Sequence, residues 1–255
     1  MYAEERQQAI AQLVSDRGRL SVAAIAEQFG VTTETVRRDL STLERMGLVR
    51  RLHGGAVPAS SLAVIESGLG ERDQANTAQK ELIAKAALEE LPPPGGMVLV
   101  DAGSTTGRFA AMLPRDLRLT VITHAVPIAA RLVGFPSVEL HLLPGRVRAT
   151  TQAAVGADTV GALSRLRVDL VLLGTNGITP GHGLSTPDHE EAAAKRAMLQ
   201  AARRVICLSD SSKFGTETAV RFAALDEIDV LITDSGISDE DRAAVEDAGV
   251  EVVIA

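Results

Sequence analysis

Seven short apolar runs recur through the chain, at 97–101, 119–123, 138–143, 168–173, 205–210, 230–234 and 250–254. Stretches with helical character lie between most of them, at 80–91, 107–113, 125–133, 188–202 and 239–248. Strands that are apolar throughout have both faces buried, so this alternation predicts a mostly parallel, Rossmann-like sheet with helices on both sides. Ligands of such sheets bind beyond the carboxyl ends of the strands, which makes the residues just after each run the informative ones.

After the first run comes Asp101-Ala102-Gly103-Ser104-Thr105-Thr106-Gly107, opening a helix. Small residues let a backbone approach an anion, and hydroxyls and free helix N–H groups can hold it. The loop lacks both the Gly-Lys-Ser/Thr ending of a Walker A loop and a G-x-G-x-x-G spacing. A helix cap is the alternative reading. The later runs end in Thr123-His124, Pro144-Gly145-Arg146-Val147-Arg148, Gly174-Thr175-Asn176-Gly177 and Asp210-Ser211-Ser212-Lys213. Lys195 lies in the helix after Pro187-Asp188-His189-Glu190-Glu191, where it either reaches a pocket or is solvated.

The first 57 residues read differently. Apolar residues repeat at helical spacing at Ile10, Leu13 and Val14, and Ser21 is placed to cap a short helix carrying Val22, Ile25 and Phe29. Gly30 supplies a turn, and Thr32 or Thr33 begins a third helix with one apolar stripe of Val36, Leu40 and Leu43. Residues 48–55 then read as a strand, a turn and the start of another strand. Helix, helix-turn-helix and hairpin together predict a winged helix-turn-helix whose third helix enters the major groove of double-stranded DNA. Charge agrees with this. The net charge is −7, yet residues 1–57 carry eight arginines against seven acidic side chains, and 37–51 carry five against two.

The string Thr35-Val36-Arg37-Arg38-Asp39-Leu40, with Leu43, Gly47, Leu48, Arg51 and His53-Gly54-Gly55-Ala56, resembles the DeoR family of bacterial transcription regulators. The resemblance continues through Asp101–Thr106, Gly174, Gly177, Gly183-Leu184, Thr186-Pro187, Glu190-Glu191-Ala192, Lys195-Arg196-Ala197-Met198 and Asp210–Phe214, and so covers nearly the whole chain. It implies a sensor domain similar in fold to ribose-5-phosphate isomerase. It further implies that Ser21, Thr33, Thr35, Arg37, Arg38, Arg51, His53 and Gly54 serve DNA binding. By position, Asp101, Gly103, Ser104, Thr105, Thr106 and Lys213 would bind a phosphorylated sugar effector. Thr123, His124, Gly145, Arg148, Gly174, Lys195 and Asp210 would line the same pocket.

Two residues depart from the family pattern. His124 stands where the family commonly has Asn, and is either a titrating contact or a neutral substitute for the amide. Arg146 stands where the family commonly has Gly, and either adds a phosphate contact or points to solvent.

The expected organisation is a DNA-binding domain at 1–57, a linker at 58–79 with a Glu71-Arg72 pair, and a sensing and oligomerisation domain at 80–255. The expected function is that of a sequence-specific regulator, a repressor of a carbohydrate-catabolism operon (for example a phosphotransferase-system operon such as one for fructose), released by a phosphorylated sugar; an activator, or a regulator with both roles, fits the same sequence, since the sign depends on where the operator lies. A homo-oligomer, dimer or tetramer, is expected, whose geometry would set the spacing of two recognition helices against operator half-sites. The other reading is a sugar-phosphate isomerase-like enzyme with a DNA-binding appendage, using Asp101, Asp210 or His124 as base. No carboxylate pair, Ser/His/Asp arrangement or G-x-S-x-G supports it. His182, Asp188 and His189 match no common zinc spacing. The chain is therefore expected not to be an enzyme, with no metal and no cofactor beyond its effector.

Composition narrows the classes further. Hydrophobic residues at 45% exclude disorder as the dominant state. The one cysteine, Cys207, excludes an internal disulfide framework. Aromatic residues at 2% and the absence of Trp exclude base-stacking platforms for single strands. No apolar run reaches the roughly 18 residues of a membrane span, and the polar N-terminus reads as lacking a signal peptide. A cytoplasmic protein with no membrane partner is expected.

Overall fold

Two hydroxyl side chains start the helices of the N-terminal region. The computed structural model describes residues 3–17, 20–52, 55–58 and 68–255, and the chain divides into two compact units, Met1–Leu62 and Ala63–Ala255. The smaller unit contains α1 (Ala3–Arg17), β1 (Leu20–Ser21), α2 (Val22–Phe29), α3 (Thr33–Arg45), β2 (Val49–Leu52) and β3 (Gly55–Pro58). The Ser21 hydroxyl accepts from the Ala24 N–H at the start of α2, and the Thr32 hydroxyl accepts from the Thr35 N–H at the start of α3. Each satisfies one of the N–H groups that a helix leaves without a partner. Between them Gly30 sits at φ 63°, a left-handed conformation that costs glycine nothing, and returns its N–H to the carbonyls of Ala26 and Glu27. The three strands pair antiparallel in the order β1-β3-β2. This is the winged helix-turn-helix read from the sequence, with β1 as an added wing strand.

Ile10, Val14, Ile25, Val36, Leu40, Leu43, Val49 and Ala56 form the core of this unit. Beside the apolar stripe of α3, Asp39 is also buried. It accepts from Arg6 Nε at 2.6 Å and Gln7 Nε2 at 2.9 Å, both on α1. These charge-assisted bonds lock the roll of α3 against α1. Asp39→Asn is expected to lower the stability of this unit by about 2 kcal/mol, read as an earlier first transition in urea unfolding of the full chain. An unchanged transition would show that the apolar stripe alone sets the packing.

The larger unit begins with α4 (Leu69–Gln74) and α5 (Thr77–Ala86), which continues as a 3₁₀ turn over Ala87–Glu90. Helix thus occupies 69–74 and 77–79, where the sequence reading has an irregular connection through residue 79. There follow β4 (Met97–Val100), α6 (Ser104–Met112), β5 (Leu119–Thr123), α7 (Val126–Leu132), β6 (Val138–Leu142), β7 (Arg146–Arg148), β8 (Ala153–Val155), α8 (Ala157–Leu163) and β9 (Val168–Leu173). The chain ends with β10 (Gly177–Thr179), β11 (Gly183–Thr186), α9 (His189–Ala201), β12 (Ala202–Leu208), β13 (Val220–Ala223), β14 (Val230–Thr233), α10 (Asp239–Asp247) and β15 (Glu251–Ile254).

Seven strands form one all-parallel sheet in the order β15-β14-β12-β9-β4-β5-β6. They are the seven apolar runs of the sequence. Alternate residues serve opposite faces, as the period of two requires. Val98, Val100, Leu170, Leu172 and Ile206 pack with Ile83 of α5, Phe109 of α6 and Ile128 of α7. Leu99, Val171, Leu173 and Cys207 pack with Leu163 of α8, Met198 of α9 and Val245 of α10. Two small antiparallel sheets, β7-β8 and β10-β11-β13, complete the unit. Among the described residues, no helix is long and apolar enough to cross a membrane.

Candidate functional site

Strand order places the crevice of the larger unit. The chain runs from β4 outward to β5 and β6, then returns to β9 on the other side of β4. The order reverses between β4 and β9, and open parallel sheets bind ligands beyond the strand ends at such a point. Asp101 follows β4 and Gly174 follows β9. The Gly174 N–H donates to Asp101 Oδ2 at 2.8 Å, closing the gap between the two ends.

Asp101 is fully buried, and both of its oxygens are engaged. Oδ2 also takes the Lys195 ammonium from α9, and Oδ1 lies 3.0 Å from His124 Nε2 at the end of β5. Lys195 further donates to the Gly174 carbonyl at 2.9 Å. Burial alone would push the Asp101 carboxyl up; Lys195 and then His124 more than offset this and hold it well below the usual carboxylate range. Asp101 is therefore a pin between strand ends and a helix. A proton-transfer base must reach a substrate and be basic near the working pH; Asp101 does neither.

Other expected pocket residues are also engaged by the protein itself. The Thr123 hydroxyl donates to the Val100 carbonyl at 2.7 Å and accepts from the Ala125 N–H. Arg148 pairs with Glu191 at 2.7 Å and Asp188 at 3.3 Å, tying β7 to the start of α9. Arg146 pairs with Glu190 rather than standing alone. Gly145 sits at φ 143°, and a Cβ there would lie 2.2 Å from the Thr159 hydroxyl. Its glycine is demanded by packing. Thr106 is buried and bonds the Gly103 carbonyl at 3.2 Å. Asp210 is buried and accepts from Asn76 Nδ2 at 2.9 Å and from Ser212.

What stays open is narrower. Gly103 precedes α6 and has no side chain to cap it. Ser104 and Thr105 make no side-chain hydrogen bond among the described residues, and neither does Lys213. Lys80 of α5, a residue that sequence reasoning missed, joins this group. It is buried, with its ammonium on the carbonyls of Arg72 and Ala75. Its pKa is lowered to about 8, chiefly by burial, with Lys213 and Arg108 acting in the same direction and Asp210 and Asp73 opposing. Those couplings place Lys80, Lys213, Asp210 and Arg108 of α6 in one electrostatic neighbourhood. Only Lys80's position in a helix marked it in the sequence, and an exposed lysine would read the same. Uncapped helix N–H groups, free hydroxyls and nearby ammonium groups are the chemistry of an anion site.

The smaller unit presents a different surface. With Val36, Asp39, Leu40 and Leu43 buried, α3 turns Thr33, Arg37 and Arg38 fully outward and Thr35 partly so. Arg37 approaches Glu34 at 3.4 Å, but the two side chains are 59% and 73% exposed, so the pair holds Arg37 only weakly. The Ser21 hydroxyl is exposed while capping α2. Arg51 lies in β2, its backbone paired with Ala56. His53 and Gly54 lie outside the described residues. Among those described, no group of three or more His, Cys, Asp or Glu is placed to hold a metal ion. Of the residues weighed for one, His182 faces the Thr218 carbonyl and Asp188 caps α9.

Comparison with known proteins matches both regions of the chain to one family. The family profile described as "DeoR C terminal sensor domain" matches residues 75–235, and that described as "DeoR-like helix-turn-helix domain" matches residues 6–61. The chain is 38% identical over 253 residues to the HTH-type transcriptional regulator GlpR of Haloferax volcanii, covering 99% of this chain and 98% of that one. It is 30% identical over 236 residues to the glycerol-3-phosphate regulon repressor of Escherichia coli, covering 92% of each. Among solved structures, ribose 5-phosphate isomerase A of Methanocaldococcus jannaschii superposes with a TM-score of 0.41 and 17% identity over 55% of each chain.

Proposed function

Because the chain belongs to the DeoR family of helix-turn-helix transcriptional regulators, we propose that it represses a carbohydrate-catabolism operon and leaves its operator when a phosphorylated sugar occupies the larger unit. The observation that carries this reading is the outward face of α3, where two unburied arginines and two threonines surround a helix locked in place from behind. Arg matches guanine O6/N7 and phosphate geometry, and a helix of this width fits the major groove. For the effector, the support is the uncapped start of α6 with Ser104, Thr105 and Lys213 unengaged, together with a relative whose name specifies a phosphate ester.

The effector acts only if it binds one conformation of the regulator better than the other. In a dimer or tetramer, that difference would alter the spacing of two α3 helices against operator half-sites. Asp101, Lys195 and Gly174 hold the strand ends on which such a ligand would rest. In this reading they position rather than contact it.

The test is fluorescence anisotropy with a labelled DNA fragment from upstream of the operon, titrated with phosphorylated sugars (the fructose phosphates among them) and their unphosphorylated parents. One phosphorylated compound is expected to release the DNA while its parent does not. Release by the parent alone would remove the phosphate from the account. Lys213→Ala is expected to keep DNA affinity and to raise the effector concentration needed for release by roughly tenfold, the worth of one charge-assisted contact. A normal dose response in that variant would move the site elsewhere.

A further inference from the structure

The two ring nitrogens of His124 have unequal surroundings. Nδ1 faces the carbonyl oxygen of Ala154 on β8 at 2.8 Å, so it carries a hydrogen. Nε2 lies 3.1 Å from the backbone nitrogen of Ala102, a donor, and 3.0 Å from Asp101 Oδ1, an acceptor. A neutral ring accepts from Ala102 and turns a lone pair toward the carboxylate. A protonated ring donates to Asp101 and sets its own N–H against that of Ala102. Neither state satisfies both neighbours, and Ala102 stands in the loop that enters α6.

We propose that His124 is a proton-controlled positioning residue of this loop: on protonation its Nε2 bond passes from Ala102 to Asp101, and the Ala102 amide is released as a further donor for an anionic ligand. The bond exchange stands on the local geometry, whereas its consequence for a ligand rests on the effector-site reading above. The groups facing the ring set the sign. Asp101, from the end of β4, is ionised, and Lys195 of α9 neutralises it. The Ala154 carbonyl accepts in both states. A proton on His124 therefore leaves the cluster with one net positive charge, and acid favours both the exchange and the anion.

The experiment follows the ring nitrogens of His124 and the Ala102 amide in ¹H–¹⁵N spectra of the full chain, from about pH 8 down to about pH 5. Sulfate, a dianion throughout, serves as the binding probe. The ring is expected to pass from the Nδ1–H form to the doubly protonated form, with the Ala102 amide shifting at the same midpoint. Sulfate is expected to bind roughly tenfold tighter at the acid end, one charged hydrogen bond's worth. In His124→Asn the amide shift and the pH dependence both vanish. A ring that stays in one neutral form, an Ala102 amide that does not follow the ring, or equal pH dependence in both proteins overturns the proposal. If sulfate binds neither protein while ring and amide titrate together, the effector reading of the α6 entrance fails and the bond exchange stands.

Discussion

Asp101→Ala is expected to destabilise the larger unit by about 4 kcal/mol, because it strands the Lys195 ammonium in a dry interior without its counter-charge. For a unit of this size that corresponds to a fall of roughly 10 °C in melting temperature. The dye-detected melt of the full chain reads it, since the protein lacks Trp. Removing both charges together, as Asp101→Ala with Lys195→Met, is expected to recover much of the loss, since apolar groups need no partner. The pH dependence has a defined sign. Lys195 and His124 hold the folded Asp101 carboxyl below its unfolded value. Its contribution is therefore complete above the ordinary carboxylate range and is lost as pH falls toward the folded value. The gap between wild type and Asp101→Asn should be in full force above the ordinary carboxylate range and shrink only in strong acid. A single variant that melts with the wild type would show that the strand ends are held by their backbone alone.

The middle of the sheet was legible because burial on both faces leaves its mark on every residue of a central strand: Val98, Leu99 and Val100 are apolar whichever core they enter. The small sheets left no such mark. Arg146-Val147-Arg148 and Gly177-Ile178-Thr179 are too short and mixed to show a period, and distant neighbours such as Phe214 beside Ile178 fix their pairing. The helix at 69–74 was hidden for a related reason: it is six residues long and buries none of them. At the candidate site, the topology rule found the strand ends but not their partners. Nothing local to Asp101 says that a lysine 94 residues later will take its carboxylate. Nor does anything local to Lys80 say that it will be buried beside Asp210. The sequence thus marked the strand ends, while the division of their residues into pins and open groups depends on contacts between distant parts of the fold.

Arg37→Ala and Arg38→Ala are each expected to weaken operator binding by roughly tenfold to a hundredfold, the worth of one good base-edge or phosphate contact in a specific complex. Both side chains are exposed, and among the described residues the one ion pair of either, Arg37 with Glu34, is itself exposed. Stability should therefore change by less than about 0.5 kcal/mol. That separation distinguishes them from Asp39→Asn, one residue further along α3, which is expected to weaken binding only by loosening the unit. The two arginines can also be told apart by salt. If one contacts phosphate, its loss reduces the slope of log affinity against log salt by about one and weakens all sequences alike. If it reads a base edge, the slope stays nearly constant and discrimination relaxes at one operator position. Unchanged affinity in both variants would mean that the outward face of α3 does not enter the groove. The reading of the smaller unit would then have to rest on the wing, whose Arg51 leads into His53 and Gly54.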